Sequence, residues 1–398
     1  MSNEGYAGRT LDILARDRAR FGAGIVADLP AVVRSTGARA AFVVTDPGVT
    51  AAGIAGRVVD LLATDGLRVE LFDAVEPNPG TRTVEVASER LRAFGGRSAD
   101  SGVTVVGLGG GSAMDTAKVT ALHATNQRAV MSLGYDDETA IPGLPVIAIP
   151  TTAGTGSETN TYGVITDEDA GRKRYPGHPS VLPRLALLDP ELTLGLPPAA
   201  TAATGVDALT HSLESLLSRN PNPFAEALAL GVARTVAEWL PRAVDDGRDL
   251  EARSRMLLAA HYAGVGQQSG TGVGAVHAIG HALGTRGSLA HGTALATVLP
   301  EVLASYLAVR ARELALVAVA FGVAHPTDPP EPAARAAIDA IDGLLRRVGQ
   351  RPTLRELGID AELEPVIVAD AVDDAAIANS PRIPASDEIG AMLAAVRG

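Results

Sequence analysis

A change of periodicity near the middle of the chain constrains its fold more than any other feature. Up to about residue 190, short apolar, β-branched runs alternate with stretches whose apolar positions recur at helical spacing. Residues 41–45 (AFVVT), 68–72 (RVELF), 103–108 (VTVVGL), 145–149 (PVIAI) and 185–188 predict buried strands, since short apolar runs bounded by turn signals suit strands covered on both faces. Between them, 50–64 and 81–94 predict helices. Strands alternating with helices imply a parallel sheet between two helical layers. At Leu196-Pro197-Pro198 the pattern breaks, because prolines can open a helix but cannot continue a central strand. Beyond it, 199–217, 223–243, 250–264, 271–284, 300–322 and 331–348 are rich in Ala and Leu and predict helices throughout. The expected architecture is an α/β N-terminal domain with a parallel sheet over residues 1–195 and an all-α C-terminal domain over 196–398. A chain of 398 residues is long enough for two such cores.

Composition removes several function classes. There is no cysteine, which excludes disulfides, thiolate metal sites and cysteine nucleophiles, so any metal must use His and carboxylates. The 34 Lys and Arg against 46 Asp and Glu leave a net charge of −12 with no basic run, and nucleic-acid binding is not expected. No stretch approaches 18 uninterrupted apolar residues, and Met1 to Arg20 is charged without an apolar core. No membrane association and a cytoplasmic location are the expectation.

Gly107-Leu108-Gly109-Gly110-Gly111-Ser112 follows the strongest strand signal and precedes a helical stretch. Strand, glycines and helix start together aim backbone N–H groups and the positive helix end at a phosphate. The spelling differs from G-x-G-x-x-G, and such glycines also make ordinary tight turns. A second loop, Pro150-Thr151-Thr152-Ala153-Gly154-Thr155-Gly156-Ser157, follows the next strand and emerges at the same sheet edge, where open α/β sheets bind ligands. Asp46 follows the strand AFVVT. Its carboxylate suits a ribose diol and repels a 2′-phosphate, which favours NAD over NADP; beside Pro47 and Gly48 it also reads as a turn residue.

Of the eight histidines, His211, His277, His281 and His291 fall into two stretches of the helical half. Asp207 and His211 in GVDALTHSLE share a helix face, His277 and His281 repeat the spacing, and His291 follows, just before Gly292. Asp207, His211, His277 and His291 form a candidate ligand set for one divalent cation. Three imidazoles and a carboxylate suit Fe(II) or Zn and not the all-oxygen cations. A cation with an open position there polarises an alcohol or carbonyl oxygen.

Taken together these motifs resemble the iron-containing (group III) alcohol dehydrogenase family. The resemblance rests on Phe21-Gly22-Ala23-Gly24, Pro77-Asn78-Pro79, Gly109-Gly110-Gly111-Ser112 with Asp115 and Lys118, the Pro150–Thr155 loop, Ala203-Thr204-Gly205-Val206-Asp207-Ala208-Leu209-Thr210-His211 and the His277/His281/His291-Gly292 run. It implies a dehydroquinate synthase-like fold, with a dinucleotide-binding domain, a helical domain and a cleft holding NAD(H) and iron. It also implies that Asp207, His211, His277 and His291 ligate the metal, that Gly109, Gly110, Gly111 and Ser112 cradle the pyrophosphate, and that Asp46 holds the adenosine ribose. Asn78, Thr151, Thr152, Thr155 and Lys173 then line the rest of the cofactor. His281, one turn beyond a ligand, is the candidate proton relay, with a packing or orienting role as the alternative. The partners implied are a small alcohol or aldehyde and a second copy of the chain, since relatives commonly form dimers or larger assemblies.

Relatives often carry an apolar residue where Gln268 stands, so a polar substrate is expected. The rival functions are a metal-independent reductase of an activated keto acid, a dehydroquinate synthase-like lyase using NAD transiently, and a non-enzymatic NAD-binding protein. The first predicts missing ligands, the second no net NADH, and the third has no use for four ligands.

Overall fold

Alternation of side chains along the strands decides how the first half packs. The computed structural model describes residues 18–134 and 137–398. Most of the Met1–Arg20 segment therefore lies outside the described residues. The first half contains β1 (Ala19–Phe21), α1 (Leu29–Ser35), β2 (Ala40–Val44), α2 (Pro47–Ala51), α3 (Ile54–Thr64), β3 (Arg68–Phe72), α4 (Thr81–Phe94), β4 (Val103–Gly109), α5 (Gly111–Asn126), β5 (Val146–Pro150), β6 (Ile165–Asp167), β7 (Arg172–Arg174) and β8 (Leu185–Leu188). Six strands form one sheet in the order β1-β8-β5-β4-β2-β3, with every pairing parallel. Along β2, Ala41 and Val43 join Leu29, Val33, Val58 and Leu62 on one face. Ala40, Phe42 and Val44 join Ala87, Leu91, Ala117 and Leu122 on the other. Successive residues point to opposite faces of a strand, so a run apolar at every position needs helices on both sides, and it has them.

The second half contains α6 (Pro198–Leu217), α7 (Pro223–Asp245), α8 (Leu250–Gly266), α9 (Ala275–Gly287), α10 (His291–Ser305), α11 (Leu307–Ala320), α12 (Pro330–Arg347), α13 (Glu364–Asp373) and α14 (Ser386–Ala395). Pro198 takes the first position of α6, where its missing N–H costs nothing. No described helix is long and apolar enough to cross a membrane.

Several boundaries differ from expectation for local reasons. The stretch 50–64 divides into α2 and α3 at Gly53, whose φ is 76°. α9 begins at Ala275 and not at 271, because residues 267–271 form a π-helical turn that ends on Gly272 at φ 66°. The helix expected from 300 begins at His291 and carries Pro300 inside it; one lost hydrogen bond at a fully buried position is outweighed by packing. β1 and the antiparallel β6–β7 hairpin, three residues per strand, are too short to show a period.

Candidate active site

The sheet reverses its winding between β2 and β4, since β3 lies outside β2 while β5 and β8 follow β4 on the other side. Ligands of open α/β sheets sit at the carboxyl ends of strands at such a switch. Asp46, the glycines after β4 and the threonine loop after β5 all fall there. Gly109 has φ 147°, and a Cβ on it would lie 2.8 Å from Ala113 Cβ and 3.1 Å from Asp46 Oδ2. Only glycine lets the strand pass so close to both. Gly110 stands at the start of α5 without a side-chain cap, which leaves the first N–H groups of that helix available to an anion. The Thr152 hydroxyl oxygen beside it is buried without a hydrogen-bond partner. Uncapped donors and an orphaned hydroxyl fit a pyrophosphate.

Buried charges lock the two loops together. Lys118 pairs with Asp115 at 3.0 Å and donates to Ser157 O at 2.8 Å and to Asn160 Oδ1. Asp115 also accepts from the Ser157 hydroxyl and from Val164 N. Burial lowers the Lys118 pKa against the pull of Asp115, so the lysine depends on these partners to stay charged.

α6 presents Asp207 and His211 one turn apart, and α9 and α10 bring His277 and His291 to them. Asp207 Oδ1 lies 3.4 Å from His211 Nδ1, 3.6 Å from His277 Nε2 and 3.6 Å from His291 Nε2. Asp207, His211 and His277 offer ligand atoms within 4.8 Å of one another, and the His291 ring lies 5.4 Å from that of His277. Asp207 Oδ1, His211 Nδ1 and His277 Nε2 are all buried without a hydrogen-bond partner. Buried polar atoms that face a common point at these separations, too long for good hydrogen bonds, suit a shared cation. Burial raises the Asp207 carboxyl pKa, but the surrounding imidazoles outweigh it and hold the group ionised. For His277 burial is outweighed by Glu214 and Asp207, which raise its pKa to about 9. Burial lowers His211 and His291, which favours the neutral imidazoles that metal ligation requires. The site's place depends on Gly292, because a Cβ there would come 1.9 Å from Ala203 O on α6. Its absence lets the start of α10 meet the helix that carries Asp207.

Two carboxylates orient the histidines. Glu214 Oε2 is 2.6 Å from His277 Nδ1, and its other oxygen accepts from Val276 N at the start of α9. This fixes which ring nitrogen of His277 faces Asp207. Asp374 Oδ2 is 2.8 Å from His281 Nδ1, and the Tyr175 hydroxyl donates to Asp374 Oδ1 at 3.1 Å. Burial is the largest influence on His281 and lowers its pKa to about 4 despite Asp374.

A cavity of about 160 Å³ joins the two halves. Of the residues expected from sequence, Asn78, Gly111, Ser112, Thr155, Lys173, Asp207, His211, His277, His281 and His291 line it. Asp46, Gly109, Gly110, Thr151 and Thr152 do not, and stand along the neighbouring loops. Gln268 is also outside the wall; Gln267 lines it, and both reach the hydroxyl of Tyr162, which lines it too. Glu214, Asp374, Tyr175 and Tyr162 were not anticipated. Glu214 lies on the Asp207/His211 face of α6, three residues beyond His211, which is a usable signal. Asp374 is 93 residues from its histidine, and nothing local announces it.

Comparison with known proteins agrees with this geometry. Residues 17–190 match the family model for iron-containing alcohol dehydrogenase, and residues 201–396 match that for the Fe-containing alcohol dehydrogenase family, C-terminal. The chain is 37% identical to alcohol dehydrogenase 4 of Schizosaccharomyces pombe over 94% of its own length and 86% of that protein. It superposes on the crystal structure of a 1,3-propanediol oxidoreductase with a TM-score of 0.91, 32% identity and coverage of 98% of this chain and 100% of that one. A sulfoacetaldehyde reductase from Bifidobacterium kashiwanohense, solved in complex with NAD+, superposes with a TM-score of 0.83 at 28% identity, covering 98% and 99% of the two chains.

Proposed function

Because the chain belongs to the iron-containing alcohol dehydrogenase family and is an NAD(H)-linked, metal-dependent oxidoreductase of alcohols and aldehydes, we propose that Asp207, His211, His277 and His291 hold its metal and that His281 moves the proton. The carrying observation is the cluster of buried, unpartnered atoms on Asp207, His211 and His277 at one end of a cavity that begins at the phosphate cradle. A divalent cation bound there supplies Lewis acidity toward an alcohol or carbonyl oxygen. Fe(II) is the proposed ion, and Zn accepts the same donors.

The residues do the rest. Gly109, Gly110, Gly111 and Ser112 present N–H groups to the pyrophosphate, Asp46 accepts from the adenosine ribose, and Asn78, Thr151, Thr152, Thr155 and Lys173 line the cofactor. The carboxylate of Asp46 selects NAD against NADP by repelling a 2′-phosphate. His281 borders both the reaction cavity and a second one of about 80 Å³ lined by Arg172, Thr285 and Asp370. With Nδ1 held by Asp374, its other nitrogen is the one to take the alcohol proton, and the second cavity gives that proton a way out. The reaction cavity must hold the nicotinamide as well, so the substrate is small. The same reading divides the chain into a cofactor domain, 1–195, and a metal and substrate domain, 196–398, and makes it a cytoplasmic homodimer or larger homo-oligomer.

The test is metal analysis of protein purified without added metal or chelator, together with NADH absorbance on a panel of small alcohols. Bound iron and net NADH formation are expected, and His277→Ala loses both. Full turnover by a metal-free His277→Ala protein would overturn the metal assignment, and turnover without net NADH would point to the lyase.

A further inference from the structure

The proposed ligands bring a single negative charge to a divalent cation. Asp207 is the only carboxylate in the set, and imidazoles bind a cation in their neutral form. Among the described residues, the one other carboxylate that pairs with a proposed ligand is Glu214, on the same helix α6. Glu214 is 4% exposed, and a buried carboxylate is costly unless its charge and its lone pairs are met.

The contacts of Glu214 converge on His277. Oε2 lies 2.6 Å from His277 Nδ1, while Oε1 accepts from Val276 N at 2.8 Å and from His277 N at 3.4 Å. One carboxylate therefore holds both the ring and the main chain of a proposed ligand. α9 starts after Gly274 without a side-chain cap, so Glu214 does from α6 what an N-cap residue does within a helix, at the end where the dipole favours a negative charge. Two main-chain N–H groups on one oxygen suit the ionised carboxylate, and an ionised partner keeps a proton on Nδ1. That leaves Nε2, the nitrogen 3.6 Å from Asp207 Oδ1, for the cation.

The far side of Glu214 is polar as well. A Cβ on Gly274 would stand 3.2 Å from Glu214 Oε1 and 3.1 Å from Ser380 Oγ, so carboxylate and hydroxyl meet over a glycine. Ser380 and Tyr306 are each 1% exposed, and neither hydroxyl has a hydrogen-bond partner. Burial, and after it the charge of Glu214, raises the Tyr306 pKa, so the phenol keeps its proton. Hydroxyl dipoles placed in the core beside a buried carboxylate stabilise its charge, which packing alone does not require. Ser380 ends the stretch that opens with Asp374, the partner of His281, and Asn379 within it donates to Val273 O at 3.1 Å, just before α9. The same stretch thus buttresses both histidines of α9.

We propose that Glu214 is a positioning residue and the second counter-charge of the metal: it fixes His277 by ring and main chain, and with Asp207 it makes the buried site neutral around a divalent cation. The inference rests on the metal assignment proposed above.

The test measures Zn(II) affinity, by competition with a chelator of known affinity, on metal-stripped wild type, Glu214→Gln and His277→Ala; zinc serves as the probe because it has no redox chemistry. Glu214→Gln keeps the shape and an acceptor but loses the charge, and should bind Zn(II) about 10- to 100-fold more weakly than wild type. Its dissociation constant for NADH, followed by nicotinamide fluorescence, should match that of wild type, which shows the variant folded and the loss confined to the metal. A purely structural role would lower the melting temperature and leave the Zn(II) affinity unmoved, and that result overturns the proposal. A second measurement needs no variant of Glu214. Nuclear magnetic resonance of Zn(II)-loaded wild type with isotope-labelled histidine should show His277, identified by its loss in His277→Ala, with a slowly exchanging proton on Nδ1 and zinc on Nε2. Zinc on Nδ1, or no held proton there, overturns the proposal likewise. Wild type that takes up no Zn(II), or His277→Ala that holds it as tightly, overturns the metal assignment itself.

Discussion

Asp46 carries two duties that one substitution separates. Its Oδ1 accepts from Val49 N at 3.0 Å and caps α2, while Oδ2 reaches the glycine segment. Asparagine caps a helix as well as aspartate does but carries no charge to repel a 2′-phosphate. Asp46→Asn should leave the melting temperature unchanged and raise the kcat/KM ratio of NADP+ to NAD+ by roughly tenfold; an unmoved ratio would reduce Asp46 to its turn role. Lys173 permits a test by pH. Burial lowers its pKa to about 8, against the attraction of Asp207, Asp115 and Asp374. Below that pH the ammonium is charged in both folded and unfolded chains and the fold bears its desolvation. Between about 8 and the ordinary 10.5 the unfolded chain binds the extra proton, so stability rises with pH. Denaturation of the cofactor-free protein should show Lys173→Met more stable than wild type at pH 7 and the difference shrinking towards pH 10.5. At this scale the cluster proposed to hold the metal was legible because Asp207/His211 and His277/His281 repeat one helical spacing. Asp374 and Tyr162 were not, since they reach their partners only through the folded chain.

Elements place these residues, and the least regular ones place the most. The β6–β7 hairpin carries Lys173 into the cavity and leads directly into Tyr175, which bonds to Asp374. Arg172 on it pairs with Asp373 at the end of α13, so two neighbouring contacts tie the sheet half to the helical half beside His281. Five strands and most helices were readable because apolar period and proline or glycine punctuation extend over many residues. The hairpin offers three residues per strand, RKR in β7, and reads as a charged loop. The π-helical turn looked like the start of the following helix because its composition, Gln, Ser, Gly and Thr, is uninformative about hydrogen-bond register. Close approach of α10 to α6 is likewise invisible until Gly292 is seen against Ala203. Gly292→Ala must push the start of α10 outward and His291 with it. Overpacking of this kind costs about 1–3 kcal/mol, and here it also displaces a proposed ligand. The variant should melt at a lower temperature and retain less metal after dialysis, whereas Gly343→Ala, which meets nothing within 4 Å on α12, should do neither. Full metal retention by Gly292→Ala would mean that His291 is not needed to hold the ion.

At the scale of the whole molecule the two halves have separate sequence signatures but share packing. Ala153, Ala186 and Leu188, all from the first half, sit in the same apolar cluster as the C-terminal helices. His261 on α8 pairs with Glu158 of the threonine loop at 3.1 Å, and both are buried. Arg253, also on α8, donates to Leu196 O and Thr201 Oγ1 across the chain's change of character. A junction of this kind makes unfolding of one half costly to the other: exposing α8 would leave Glu158 buried without its partner and bare the β8 side of the sheet. Calorimetry of the chelated, cofactor-free protein should therefore show one unfolding transition and not two. On the proposed assignment NADH and the metal bind residues of opposite halves, so independent domains would answer separately, each ligand moving its own transition. In a single cooperative unit either ligand moves the whole transition. NADH at a hundred times its dissociation constant should add about 2.7 kcal/mol to the unfolding free energy, in wild type and in His277→Ala alike, because the cradle does not depend on the metal ligands. Two transitions, one moved by NADH and the other by metal, would show that the boundary near 195 divides the protein thermodynamically, and that the shared cluster and the His261–Glu158 pair do not couple its halves.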